Sequence, residues 1–298
     1  MFRRVLSLVA CCVALSGCGQ PEPDYWSQPP AGDAELRALL ERARAIDVCA
    51  LLGAGELAEA GFGETPVPVW FDGCGTISDD PAVGVIWQVT TANGPLEPQG
   101  DAVATTIDGA PAVVRETAPE PGGPRRCETT VQLGAVLELD LDLTSRDAEN
   151  CAPATRLAAA AAARWRAEPR RASTPFANTD PCAATAALGV RPSAVRLWEC
   201  GFEYRGQRFL LTLGEVGEQQ LGAERFEIDG HPVHCEEHEP GAFVNPARVP
   251  MGPPLPATVF DDETGPRRAV LSLSPIQFDG PAEVVTEVLR AAVPLAAG

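Results

Sequence analysis

The sequence contains no lysine: its 23 basic residues are all arginine, set against 41 aspartates and glutamates, for a net charge of −18. So acidic a surface repels phosphate backbones and anionic headgroups, which excludes nucleic acid as an expected partner. Aromatic residues are scarce at 6%, and histidine occurs three times, always between positions 231 and 238. A Ser-His-Asp set would have to draw on those three, no Gly-x-Ser-x-Gly elbow is present, and no Gly-rich phosphate loop opens a helix. Beyond the N-terminus no stretch approaches the ~18 apolar residues that a membrane-crossing helix needs. These gaps leave a non-catalytic protein without a cofactor as the expectation. Missing lysine with abundant Ala, Gly and Pro matches GC-rich codon usage and points to an actinobacterial source.

What the chain does carry begins with an export signal. Arg3 and Arg4 precede an apolar stretch, Val5 to Leu15, broken only by Ser7. As a helix it would rise roughly 16 Å, half a bilayer core, so residues 1–17 read as a removable secretory signal. Leu15-Ser16-Gly17-Cys18 resembles the lipobox of bacterial lipoproteins. The resemblance implies cleavage before Cys18, lipid on its thiol, and residence on the outer face of the cell membrane, with the membrane as partner through that lipid. Two or three acyl chains give lasting attachment where one is marginal. Residues 18–32, four of them proline, read as an extended tether with little to bury. No specific role is expected of Tyr25 or Trp26.

From residue 33 the chain repeats itself. Asp47-Val-Cys49-Ala50 returns as Asp180-Pro-Cys182-Ala183, and Cys74-Gly75 as Cys200-Gly201. Ile107-Asp108-Gly109 returns as Ile228-Asp229-Gly230, and Ala135–Leu139 as Ala269–Leu273, in the same order. A period of about 130 residues is too long for a solenoid unit and suits two copies of one domain. The expected fold is therefore α+β, two duplicated domains over 33–167 and 179–298 with a linker at 168–178. Each is an antiparallel sheet packed with an opening and a closing helix. Leu36, Leu39, Leu40 and Ala43 stripe one face of a helix over 33–46, and Asp180 with Pro181 starts a helix that Gly189 can close. Val85, Trp87 and Val89, then Phe209, Leu211 and Leu213, alternate as half-buried strands do. From Val131 to Leu143 one parity holds for the whole run, with polar residues on part of the other face; a sheet with one wet face is normally antiparallel. Closing helices are expected over 153–166, with six consecutive Ala, and over 281–292. Asp108-Gly109 and Asp229-Gly230 read as hairpin turns.

Cys11 and Cys12 leave with the signal, and Cys18 is the lipid site. Of the seven others, six can pair in an oxidising compartment and one is left over. The duplication narrows the choice: Cys49–Cys74 and Cys182–Cys200 would each staple helix to sheet, and Cys127–Cys151 would join a strand to the closing helix. Asp47-Val-Cys49-Ala-Leu51-Leu52, Cys74, Cys127 and Cys151-Ala-Pro together resemble the actinobacterial lipoproteins of the domain of unknown function 3558 family. The second copy keeps only Cys182 and Cys200 of that pattern. The resemblance implies an α+β sandwich with an antiparallel sheet, and implies no reaction.

One cluster carries metal-binding side chains: His231-Pro-Val-His234-Cys235-Glu236-Glu237-His238-Glu239. Imidazole, thiolate and carboxylate suit Zn²⁺ or Cu. On a strand His234, Glu236 and His238 share a face and form the candidate metal set; the plain reading is a polar edge strand and an acidic loop. Asp140 and Asp142 share a strand face that reads as the solvated side. The functional expectation is a lipid-anchored cell-envelope lipoprotein that binds an envelope protein or other ligand, or scaffolds. Its alternatives are a carrier of an apolar ligand such as lipid between sheet and helix, and a metal-binding protein or metal-dependent enzyme using residues 231–238.

Overall fold

The computed structural model describes residues 24–62, 65–70, 72–76, 80, 83–117, 123–146, 151–171, 177–235, 246–255, 265–277 and 282–296. Residues 1–23, including Cys18 and the signal, lie outside that set.

The first half opens with α1 (Asp33–Arg44), whose buried stripe is Leu39, Leu40 and Ala43. A 3-10 turn at Val48–Leu51 follows, capped by the Asp47 carboxylate, which accepts from the Cys49 N–H at 3.1 Å. After α2 (Ala54–Glu59) come β1 (Val67–Trp70), β2 (Gly73–Gly75), β3 (Gly84–Thr91), β4 (Val103–Ile107), β5 (Ala110–Thr117), β6 (Arg125–Gln132) and β7 (Leu137–Ser145). The closing helix α3 (Cys151–Trp165) lies across β6 and β7. In the second half α4 (Ala183–Ala187) precedes β8 (Pro192–Val195), β9 (Glu199–Tyr204), β10 (Gln207–Gly217), β11 (Ala223–Ile228), β12 (His231–Cys235), β13 (Ala247–Pro250) and β14 (Arg267–Gln277). Helix α5 (Ala282–Ala296) closes it, packed on β14 and α4.

All strand pairs are antiparallel, and the two sheets run β1-β2-β3-β7-β6-β5-β4 and β8-β9-β10-β14-β13-β12-β11. Adding seven to every strand of the first order gives the second. The molecule is thus mixed α+β, with two seven-stranded sheets of one connectivity. Matching turns reinforce the match: Asp108 and Gly109 (φ 49° and 78°) and Asp229 and Gly230 (φ 50° and 83°) both make two-residue hairpins with consecutive positive φ, as a type I′ turn requires. The Asp180 carboxylate accepts from the Cys182 N–H at 2.9 Å, as Asp47 does for Cys49. Gly189 takes φ 68° just past α4, although that helix is only five residues long.

Three expectations need correction. The run from Val131 to Leu143 is a hairpin, β6 and β7 pairing Val131 with Leu139 around a turn at 133–136. An odd number of residues, 133–137, lies between the last paired residues Gln132 and Glu138, so inward parity passes through the turn unbroken and the sequence pattern hides it. Next, the match of Ala135–Leu139 to Ala269–Leu273 is shifted by two. Cys74 pairs with Trp87 and Trp87 with Leu141, whereas Cys200 pairs with Leu211 and Leu211 with Leu273. Leu141, not Leu139, therefore corresponds to Leu273. Finally, the segment expected to be tether belongs to the folded body from Asp24 on. Tyr25–Ser27 form a 3-10 turn that buries Trp26 against Trp165, ring centroids 5.0 Å apart. The Trp26 carbonyl accepts from the Ala135 N–H at 2.7 Å, and a Cβ at Gly134 would collide with that carbonyl. A Pro-rich context offers little apolar area, but one indole removes enough from water to dock it.

The halves share one apolar core. Polar links cross between them: Arg44, almost wholly buried, donates from Nη1 to the Leu197 carbonyl at 2.9 Å. Arg267 donates to the Val69 carbonyl at 3.0 Å, and the Leu197 N–H to Thr91 Oγ1 at 2.7 Å.

Candidate functional site: a polar cleft between the halves

Those crossing bonds frame a cleft of about 400 Å³ with walls from both halves. The first half supplies Asp72 from the β1–β2 turn, Thr90 and Thr91 from the end of β3, and Glu138 and Asp140 from the outer face of β7. The second supplies Arg196 to Glu199, the turn between β8 and β9, and Thr212 of β10. The alternation that sends Leu137, Leu139 and Leu141 into the core sends Glu138 and Asp140 the other way.

The charges are unevenly balanced. Asp140 is held from both sides, accepting from Thr90 Oγ1 at 3.0 Å and Thr130 Oγ1 at 2.9 Å. Glu138 sits above its ordinary carboxyl range because burial disfavours its charge and Asp140 adds to the effect. Burial pushes Asp72 up to about 6, opposed by Arg171 and assisted by Glu199. Arg196 is paired with Glu199 at 3.3 Å. Carboxylates thus outnumber the cation of the cleft, and the hydroxyls of Thr90 and Thr91 are already engaged in fixing its shape. The arrangement can receive a positively charged group and surround it with hydrogen-bond acceptors.

Asp142, which shares a strand face with Asp140, pairs with Arg126, and Arg115 pairs with Glu128 beside it. That cross-strand lattice is a solvated sheet face.

The expected cysteine pairs are bonded: Cys49–Cys74 and Cys182–Cys200 both with Cα atoms 5.1 Å apart, Cys127–Cys151 with 5.2 Å. Cys49–Cys74 and Cys182–Cys200 occupy equivalent places in the two halves. Among the described residues Cys235 is the free cysteine and is buried, and burial raises its pKa. Of the candidate metal set, His234 is half-buried on β12, its Nδ1 3.2 Å from the Gly222 carbonyl oxygen. Glu236 and His238 lie outside the described residues, and among the described residues no three His, Cys, Asp or Glu are grouped to hold a metal ion.

None of the cleft was singled out from sequence except Asp140, because its walls come from positions 72, 90, 138 and 196–199, far apart in the chain. The available signal was the polar face of the 137–145 strand. Compared with known proteins, the chain matches no family model, no curated protein and no solved structure.

Proposed function

We propose that this chain is an exported, lipid-anchored envelope protein that binds a polar, positively charged ligand in the cleft between two tandem copies of one α+β domain, without catalysing a reaction. The observation that carries the reading is the cleft itself: both halves line it, and its carboxylates exceed its one arginine. Tandem duplication is supported by the common strand order, the equivalent disulfides and the paired Asp-Gly hairpins. Export is supported by three disulfides, which persist in oxidising compartments. Lipid on Cys18, the outer face of the membrane as location, and kinship with the domain of unknown function 3558 lipoproteins rest on the sequence resemblance. Among the described residues no helix is long and apolar enough to cross a membrane.

The polarity of the cleft favours this reading over a carrier of apolar ligands. Calorimetry with spermidine and with arginine methyl ester tests it against glutamate as a control. The cations are expected to bind, and Glu138→Gln with Asp140→Asn to weaken them at least tenfold. Absence of heat with both cations would defeat the cleft reading. For the anchor, Cys18→Ala is expected to move the protein from the membrane to the medium; retention on the membrane would refute lipid attachment there.

A further inference from the structure

The two sheets have four edges, and three are defended. β1 carries Pro68, and its Val69 carbonyl accepts from Arg267. β8 begins with Pro192. Both lie at the junction of the halves. Of the two outer edges, β11 carries Glu224, Arg225 and Glu227, and its register breaks between Glu224 and Phe226. Proline, charge and bulges are the usual means of keeping an edge from pairing with another chain.

β4 has none of them. Its sequence, Val-Ala-Thr-Thr-Ile, is uncharged and β-favouring, its pairing with β5 runs unbroken from Val103–Val114 to Ile107–Ala110, and no described strand lies on its outer side. Residues 103 to 106 are exposed. Val103 stands on the core face, in the row that runs through Val114, Thr129, Leu141 and Trp87. Trp87 is fully buried, yet Val103 is 64% exposed. That apolar row therefore ends in solvent.

We infer that β4 is a self-association edge: two copies of this chain pair their β4 strands antiparallel about a two-fold axis through Thr105. Independent of the cleft, the occupant follows from pattern and charge. In that register Val103 of one copy faces Ile107 of the other, Ala104 faces Thr106, and Thr105 faces itself, so each uncovered valine meets the one buried apolar residue of the strand. No charge opposes a charge within the pair. In a chain of net charge −18, the neutral edge is where a second copy can approach without like-charge contact. The same operation on β11 would bring its Glu224 opposite Glu227. Pairing joins two seven-stranded sheets into one, with both α3 helices on the same side. So short a ladder buries less than the ~1,200 Å² of a standard interface, which sets the affinity in the weak, reversible range.

Sedimentation velocity of the full chain tests this between about 1 and about 500 μM, the range a small interface populates. The mass is expected to rise from one chain to two. Thr105→Lys and Thr105→Glu are each expected to stay single, and their equimolar mixture to recover the dimer. Circular dichroism separates this from misfolding, since an exposed strand residue leaves the monomer spectrum unchanged. A wild-type mass that stays at one chain throughout overturns the proposal, whether or not the edge takes a foreign peptide. So does a dimer that persists in both variants, which would put the contact on another face.

Discussion

The two halves share a strand order but hold their closing helices by different means. α3 buries mostly alanine, with Ala154, Ala158, Ala161 and Ala162 alongside Leu157 and Trp165. α5 buries Val284, Val285, Val288, Leu289 and Val293. An alanine removes far less apolar surface from water than a valine or leucine, so α3 gains less from packing. It is the helix with a covalent staple: Cys151, its first residue, is bonded to Cys127 of β6. The second half has no such bond at α5, and its spare Cys235 stays reduced and buried on β12. Side-chain area and cross-linking thus substitute for one another on a common scaffold.

That contrast can be broken first at the staple. Replacing Cys127 and Cys151 together by serine is expected to cost about 3.5 kcal/mol in the first half, the chain-entropy value for a loop of this length. Leu289→Ala is expected to cost about 3 kcal/mol in the second. Calorimetric unfolding checks both. Equal loss from a reducing agent alone in the two halves would contradict the division, because only α3 depends on a disulfide at its start.

A smaller effect sharpens the comparison at the junction. Asp72 is half-buried, and its folded pKa of about 6 lies above the ordinary 3.8. The folded state therefore holds this proton more tightly than the unfolded chain does. Its contribution is greatest below pH ~4 and is lost as pH rises to ~6, beyond which the charged form costs about 1 to 2 kcal/mol after allowance for partial exposure. Asp72→Asn is expected to gain that amount at pH 7 relative to wild type and to lose the difference at pH 4. Urea titrations at the two pH values read it directly; a constant difference would mean the carboxyl titrates normally.

The smallest effect tests equivalence itself. Gly109→Ala and Gly230→Ala each force a side chain onto positive φ in the same hairpin position, at about 1 kcal/mol each. Costs that differ several-fold would show the two turns to be unlike despite their common angles.

Much of the scaffold was legible because local chemistry and tertiary structure agreed. The Leu36–Ala43 stripe marked α1, the Asp-Gly pairs marked both hairpins, and the internal repeat paired the cysteines. Legibility failed where a pattern is indifferent to the fold. Alternation survives an odd number of residues between paired strand ends and a two-residue slip alike, so neither the hairpin inside 131–143 nor the shifted Leu139 match left a trace in the sequence. Trp26 was misjudged because its neighbours are polar and its receptor, the 133–136 turn, lies a hundred residues away. The cleft was illegible for the same reason: Asp72 and Glu199 meet only after two sheets are built.

If Cys18 carries lipid as proposed, the docking of Trp26 also limits how far the body can stray from the membrane. With lipid on Cys18, only the five residues 19–23 would lie between the acylated position and Asp24, where the described structure begins. Fully stretched they reach about 20 Å, roughly two Debye lengths in physiological salt. The lipid-anchored protein would ride close against the bilayer with its Trp26 side toward the lipid.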